Sequence, residues 1–358
     1  MKKILTLFFA AILMAGCFCA CTVNSGVNNA NDGKIKIVVS IFPAYDWVMN
    51  VLGDNPGNAD VKLLLDNGVD LHNYQPTAED IVMISDCDMF IYVGGESDEW
   101  IDEVLENANN DHMAVINLME ALGEFAKEEE LVEGMQAEEH DHEHGHEDAD
   151  HDEDEEEHDH DEEGHEEHEH HHEHDEDEIE YDEHVWLSLR NAEIFTQKIS
   201  DELQTIDKDN AEIYKSNSEK YISELNALDK KYVEAVSSAD YNTLLFADRF
   251  PFRYFVDDYD LSYYAAFIGC STEDQATFDT IIFLSKKIDE LSLPCVLTIE
   301  NSDKKIAQTV IDNTESKDMK ILTMDSMQTT TAEDIKNGAS YLGIMESNLE
   351  VLKEALSK

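Results

Sequence analysis

Lys34-Ile35-Lys36-Ile37-Val38-Val39-Ser40 alternates polar and apolar residues and then turns fully apolar, the pattern of a strand running into a buried sheet. A helical pattern follows near 43–52, and the alternation then recurs. Val61–Leu65, Met89–Val93 and Ala114–Asn117 read as further strands, with helical patterns near 77–85 and 96–109. Thr77, just after Pro76 and three residues before Asp80, reads as a helix start. Strands separated by helices predict a mostly parallel α/β sheet.

The second half repeats this grammar. Leu244–Ala247, Tyr263–Ile268, Cys295–Ile299 and Lys320–Met324 read as strands, with helical patterns near 274–291, 303–314 and 331–353. Between the halves, Asp209 to about Val236 carries apolar or aromatic residues at 213, 214, 221, 225, 228, 232 and 236, with no Pro or Gly. That is helical spacing, and about 28 residues of helix span about 42 Å. The expected fold is α/β, with two lobes. Each is a roughly four-stranded, mostly parallel sheet flanked by helices, and one long rigid helix joins them. The expected segments are a signal peptide at 1–16, a tether at 17–33, an N-terminal lobe at 34–205, a linking helix at 206–238 and a C-terminal lobe at 239–358. A disordered insertion is expected at 128–180.

Lys2 and Lys3 precede a short apolar run, Ile4 to Met14, too short to span a bilayer as a mature helix. The run ends in Met14-Ala15-Gly16-Cys17, which resembles a bacterial lipobox and makes Cys17 the expected lipidation site; Cys19 and Cys21 lie close by. The chain is therefore expected outside the cytoplasm, anchored to the outer face of the cell membrane or periplasmic. Cys87, Cys270 and Cys295 are widely spaced with no C-x-x-C. In an exported protein Cys270 and Cys295 could be bridged, or all could be buried free thiols.

The chain carries a net charge of −58 with 42% hydrophobic residues. Residues 138–183 hold 28 acids and no Lys or Arg; the rest has 82 − 28 = 54 acids against 24 bases, still −30. Charge-driven binding to nucleic acid or to anionic lipid is disfavoured, and attraction of cations is favoured. Thirteen of the sixteen histidines fall in this stretch: His140, His142, His144, His146, His151, His158, His160, His165, His168, His170, His171, His172 and His174. So polar a tract cannot bury enough apolar surface to fold alone. Its imidazoles and carboxylates are ligands for divalent transition metals, and its affinity should depend on pH because His coordinates only when neutral.

In open α/β sheets, ligands bind beyond the carboxyl ends of the strands. There the sequence places His72, Asp248, Glu300 and Asp325, while His184 follows the tract. His112 precedes a strand and so falls at the opposite edge. A loop His is ordinarily a surface group, and acids after strands ordinarily cap the next helix. The joint pattern raises them to candidate metal ligands.

Ser40-Ile41-Phe42-Pro43, Gly68-Val69-Asp70-Leu71-His72-Asn73-Tyr74-Gln75-Pro76, Gly94 to Trp100 and Asp182-Glu183-His184-Val185-Trp186-Leu187 resemble the zinc- and manganese-type solute-binding proteins of bacterial ABC importers. The likeness runs from about residue 35 to 358. It implies two α/β lobes with the metal in the cleft between them and no enzymatic activity; the single long helix strut adds the expectation of little hinge motion. It also implies a monomer that hands its ion to an ABC permease in the membrane, to which it is held by its lipid anchor. His72 and His184 match the first two ligands, and Asp325 the last. Zinc members carry an acidic His-rich loop between the first two ligands, as here, which makes Zn(II) the expected cargo and Mn(II) the alternative. The tract would be an auxiliary metal-capturing segment. The family's third His falls on Ala247 or Arg249, neither of which binds metal, leaving Asp248 as the nearest substitute. Two His with carboxylates would also accept manganese or iron. Readings from other classes are a metal-dependent adhesin and a secreted metallohydrolase, the latter without H-E-x-x-H or G-x-S-x-G in the chain.

Overall fold

β1 (Ile35–Val39) ends apolar because it lies inside its sheet, with strands on both sides and Ile37, Val38 and Val39 buried. The computed structural model describes residues 33–54, 58–136, 180–271 and 275–358. The expected signal peptide, Cys17 and all thirteen tract histidines lie outside the described residues. After β1 come α1 (Phe42–Leu52), β2 (Ala59–Leu63), α2 (Ala78–Ser85), β3 (Met89–Tyr92), α3 (Trp100–Glu106), β4 (Ala114–Asn117) and α4 (Leu118–Leu122). The strands are all parallel, in the order β2-β1-β3-β4. Thr77 and Asp80 form the capping box that starts α2.

Two helices follow, α5 (Leu189–Ile206) and α6 (Ala211–Ser237). The second sheet comprises β5 (Thr243–Phe250), β6 (Ser262–Ile268), β7 (Cys295–Ile299) and β8 (Lys320–Met324), with α7 (Arg253–Asp258), α8 (Phe278–Leu291) and α9 (Lys305–Asp312) between the strands. The chain closes with α10 (Ala332–Lys336) and α11 (Tyr341–Ala355). This sheet is also parallel, in the order β6-β5-β7-β8, so it repeats the topology of the first. The expected α/β class with two four-stranded sheets is the one observed.

The 27 residues of α6 extend about 40 Å and bury Tyr214, Tyr221, Leu225, Leu228 and Tyr232. Ile213, read as part of its apolar face, is exposed. α5, which the sequence reading passed over, packs against α6, and Ser218 donates to Ser200 across the pair at 3.0 Å. The single helix expected over 331–353 is two, broken at Asn337-Gly338, where Gly338 has φ +101°. Residues Glu128–Gln136, assigned to a disordered insertion, instead lie along the edge of the second sheet. There the Gln136 amide donates to the Ala266 carbonyl at 3.0 Å.

One hydrophobic core joins both sheets, bringing together Val39, Phe90, Trp186, Phe246 and Tyr341. Trp47 of α1 sits fully buried within it. A smaller cluster, including Leu245, Leu284 and Val310, lies under α8 and α9. Cys87, Cys270 and Cys295 are free thiols, so the possible Cys270–Cys295 bridge does not form. Cys270 follows the carboxyl end of β6, whereas Cys295 opens β7 at the opposite edge. A five-residue strand separates those edges by roughly 16 Å, beyond disulfide reach. Among the described residues no helix is long and apolar enough to cross a membrane.

Candidate metal centre

Two D-x-H triplets meet here. In the loop after β2, Asp70 Oδ1 accepts the backbone N–H of His72 at 3.2 Å. Past the tract, Asp182 Oδ1 accepts the N–H of His184 at 2.8 Å. An aspartate bonding the backbone two residues on makes a local turn that fixes the next side chain's direction. Both turns aim their imidazole at the same point: the ring centroids are 5.1 Å apart and the two Nε2 atoms 3.2 Å apart.

The far nitrogens explain the orientation. His184 Nδ1 lies 3.0 Å from Asp182 Oδ1. His72 Nδ1 lies 2.8 Å from Ser97 Oγ and 3.3 Å from Glu183 Oε2. An Nδ1–H given to a carboxylate holds the ring and leaves Nε2 as the ligand atom, the usual outer support of metal-bound histidine. Two nitrogens on a tetrahedral zinc ion would stand about 3.3 Å apart, so the observed pair is already spaced as an edge of such a sphere. Glu183 reaches its place because residue 95 is glycine. Gly95 has φ +84°, and a Cβ there would come within 2.4 Å of Glu183 Oε1.

A third donor converges from the second sheet. One ligand atom each of His72, His184 and Cys270 lies within 4.8 Å of the others. Sequence reasoning weighed Cys270 only as a bridge or a buried thiol. Burial, followed by the charges of Asp182, Glu129 and Glu183, holds that thiol well above its ordinary pKa. Gln328, also unread, lies with its Nε2 2.8 Å from His184 Nε2, while its Oε1 lies 2.9 Å from Ser326 Oγ.

The other candidates lie outside this group. Asp248 Oδ1 accepts the Arg249 N–H at 2.9 Å, and its Oδ2 faces the Ile299 amide at 3.4 Å. Asp325 Oδ1 accepts the Met327 N–H at 2.8 Å. Glu300 is bonded by the Ser326 amide and hydroxyl and by the Gln328 amide. These carboxylates build the loops around the centre. Arg249, at one alignment of the family's third His, pairs with Asp70 at 2.9 Å and donates to the Ser271 carbonyl at 3.3 Å. A cleft of about 790 Å³ opens beside the centre, with Asp70, Arg249 and Gln328 in its wall. His112 is exposed, on the turn before β4.

Burial pushes Asp98 up to about 7, and Asp46 and Asp258 up to about 6. Unfolded aspartates ionise near 4, so between about pH 4 and 7 the folded chain holds protons that the unfolded chain releases. Stability is therefore lost as pH rises through that window. His72 acts in the same sense. Burial lowers its pKa, but Glu183 and Asp70 outweigh burial and raise it, so its contribution is lost as pH rises above about 6.5. Metal-free protein is expected to melt at a lower temperature at about pH 7.5 than at about pH 5.5. Calorimetry at both values checks this, and an Asp98→Asn variant should flatten the dependence.

The chain matches the family model described as zinc-uptake complex component A, periplasmic, over residues 37–355. It is 30% identical over 325 residues to the zinc-binding lipoprotein AdcA of Streptococcus pneumoniae, covering 90% of this chain and 56% of that protein. It thus spans about half the length of that relative. It is 26% identical to the high-affinity zinc uptake system protein ZnuA of Bacillus subtilis, covering 96% of each chain. The Zn(II)-bound ZnuA-like domain of S. pneumoniae AdcA superposes with a TM-score of 0.65 at 24% identity, covering 91% of this chain and 100% of that domain.

Proposed function

The chain belongs to the zinc-uptake complex component A family, and from that membership we propose that it is an extracytoplasmic zinc receptor that binds Zn(II) as cargo and hands it to an ABC permease. No reaction is catalysed. The observation that carries this reading is the His72–His184 pair, with Nε2 atoms 3.2 Å apart and each Nδ1 set against a carboxylate. Imidazoles so held suit zinc better than manganese, which favours oxygen ligands. The buried acids around the pair, Asp70, Asp182 and Glu183, add a negative field that favours a cation. Cys17 would carry the lipid that keeps the monomeric receptor beside its permease.

The His-rich tract would act as a lower-affinity collector. Its two ends support that role. Glu129 pairs through its amide with the Glu180 carbonyl, and Asp182, only two residues before His184, pairs with the Lys127 carbonyl. Both attachment points of the tract are therefore tied to each other close to His184 in the chain. Competitive zinc titration of the chain with and without residues 138–178 tests both ideas. Deletion should remove most weak zinc equivalents and leave one tight site. If no tight site remains after deletion, the tract is the principal binder and the receptor reading falls.

A further inference from the structure

We propose that Cys270 is the third protein ligand, so that the cleft holds its ion with two imidazoles and a thiolate. This deepens the receptor reading above and rests on it. The geometry is carried by Gly269-Cys270, immediately after β6. A Cβ on Gly269 would lie 2.8 Å from His184 Cε1, so the backbone runs against the imidazole itself and brings the following side chain to the metal position. Cys270 then completes the convergent group with His72 and His184. A zinc-bound sulfur and nitrogen stand about 3.6 Å apart. The ligand atoms need to close by little more than an ångström, within the swing of a cysteine side chain about Cα–Cβ.

The surroundings fix that segment. Arg249, spanning Asp70 and the Ser271 carbonyl, ties the residue after Cys270 to the loop that carries His72. On its other side the thiol lies within hydrogen-bonding reach of Glu129, at the base of the tract. The nearby carboxylates Asp248, Glu300 and Asp325 lie outside this convergent group and accept loop backbone N–H groups. On binding, the Sγ–H bond breaks, its proton leaves to solvent, and the sulfur electron pair bonds the metal. The consequence is selectivity. A thiolate favours zinc and other thiophilic ions and disfavours manganese, which prefers carboxylate oxygens.

Cobalt(II) reports sulfur ligation directly, through a near-ultraviolet thiolate-to-cobalt charge-transfer band. The full chain, titrated with cobalt, is expected to develop this band, and Cys270→Ser to lose it while still binding cobalt through the histidines. Zinc affinity of Cys270→Ser should fall about a hundredfold or more, the upper range for outer-shell losses being about 10–100-fold. Zinc should also protect Cys270 of the unaltered chain from alkylation, read by peptide mass, which needs no variant to fold. A band that is absent, or that survives Cys270→Ser because it belongs to Cys17, Cys19 or Cys21, overturns the proposal, as does unprotected alkylation. If cobalt still binds in a manner dependent on His72, the receptor reading stands without it. If no binding depends on His72 and His184, both fall.

Discussion

Replacing His72 and His184 together by alanine, in a chain lacking residues 138–178, is expected to lower zinc affinity at least about a thousandfold, about 4 kcal/mol. Competition against a chelator of known affinity reads the change. The size follows from what the pair supplies. Two imidazoles already stand at the spacing a tetrahedral ion requires, with Asp182 holding one ring and Ser97 the other beside Glu183, so little ordering remains to be done on binding. Each replacement also strands a buried partner. His184 is fully buried, and without its ring the Asp182 carboxylate and the Gln328 amide lose a contact. That costs stability of about 1–3 kcal/mol, so melting curves must accompany the titration. A folded double variant that still binds zinc tightly would remove the cleft from consideration as the principal site.

Some of this was legible in the sequence because it is local. Asp70-Leu71-His72 and Asp182-Glu183-His184 were legible through the family resemblance their motifs carry, and each Asp builds the local turn that aims its His. The long helix α6 was legible because Tyr214, Tyr221, Leu225, Leu228 and Tyr232 recur at helical spacing on one buried face. α5 was passed over, although Leu189, Ala192, Phe195, Ile199 and Leu203 form its buried stripe against α1 and α6. The remaining donors depend on tertiary register. Cys270 meets the histidines only because β6 ends where it does and Gly269 admits the His184 ring. Asp248 and Asp325 follow strands, as a ligand should, and lie outside the convergent group of His72, His184 and Cys270. Gln328 had no signature to read, since an amide in a loop implies no chemistry until a buried imidazole is found beside it.

Trp47→Ala is expected to cost about 3–5 kcal/mol of stability, the range for deleting a buried large aromatic from a core. Trp47 is wholly buried on α1, with ring centroids 5.4 Å from Phe195 of α5 and 5.3 Å from Tyr341 of α11. It therefore joins elements of the first half to the last helix. The link continues to the metal centre: the Tyr341 hydroxyl donates to the Trp186 carbonyl at 2.7 Å, and Trp186 Nε1 donates to the Ser326 carbonyl at 2.9 Å. Trp186 also packs against the His184 ring, centroids 5.2 Å apart. Loosening Trp47 should free Tyr341 and then the segment that carries His184, so zinc should dissociate faster as well as the fold weaken. Trp47→Phe separates packing from the unpaired indole N–H. The Trp47 indole N–H has no hydrogen-bond partner among the described residues, a burial cost of about 1–3 kcal/mol that phenylalanine removes. The smaller ring forfeits a comparable amount in lost contact and cavity, so Trp47→Phe is expected within about 1 kcal/mol of the unaltered chain. Urea unfolding gives both values, and stopped-flow chelation gives the zinc off-rates. If Trp47→Ala costs under about 1 kcal/mol, or leaves the off-rate unchanged, the two halves are not held together through this aromatic link.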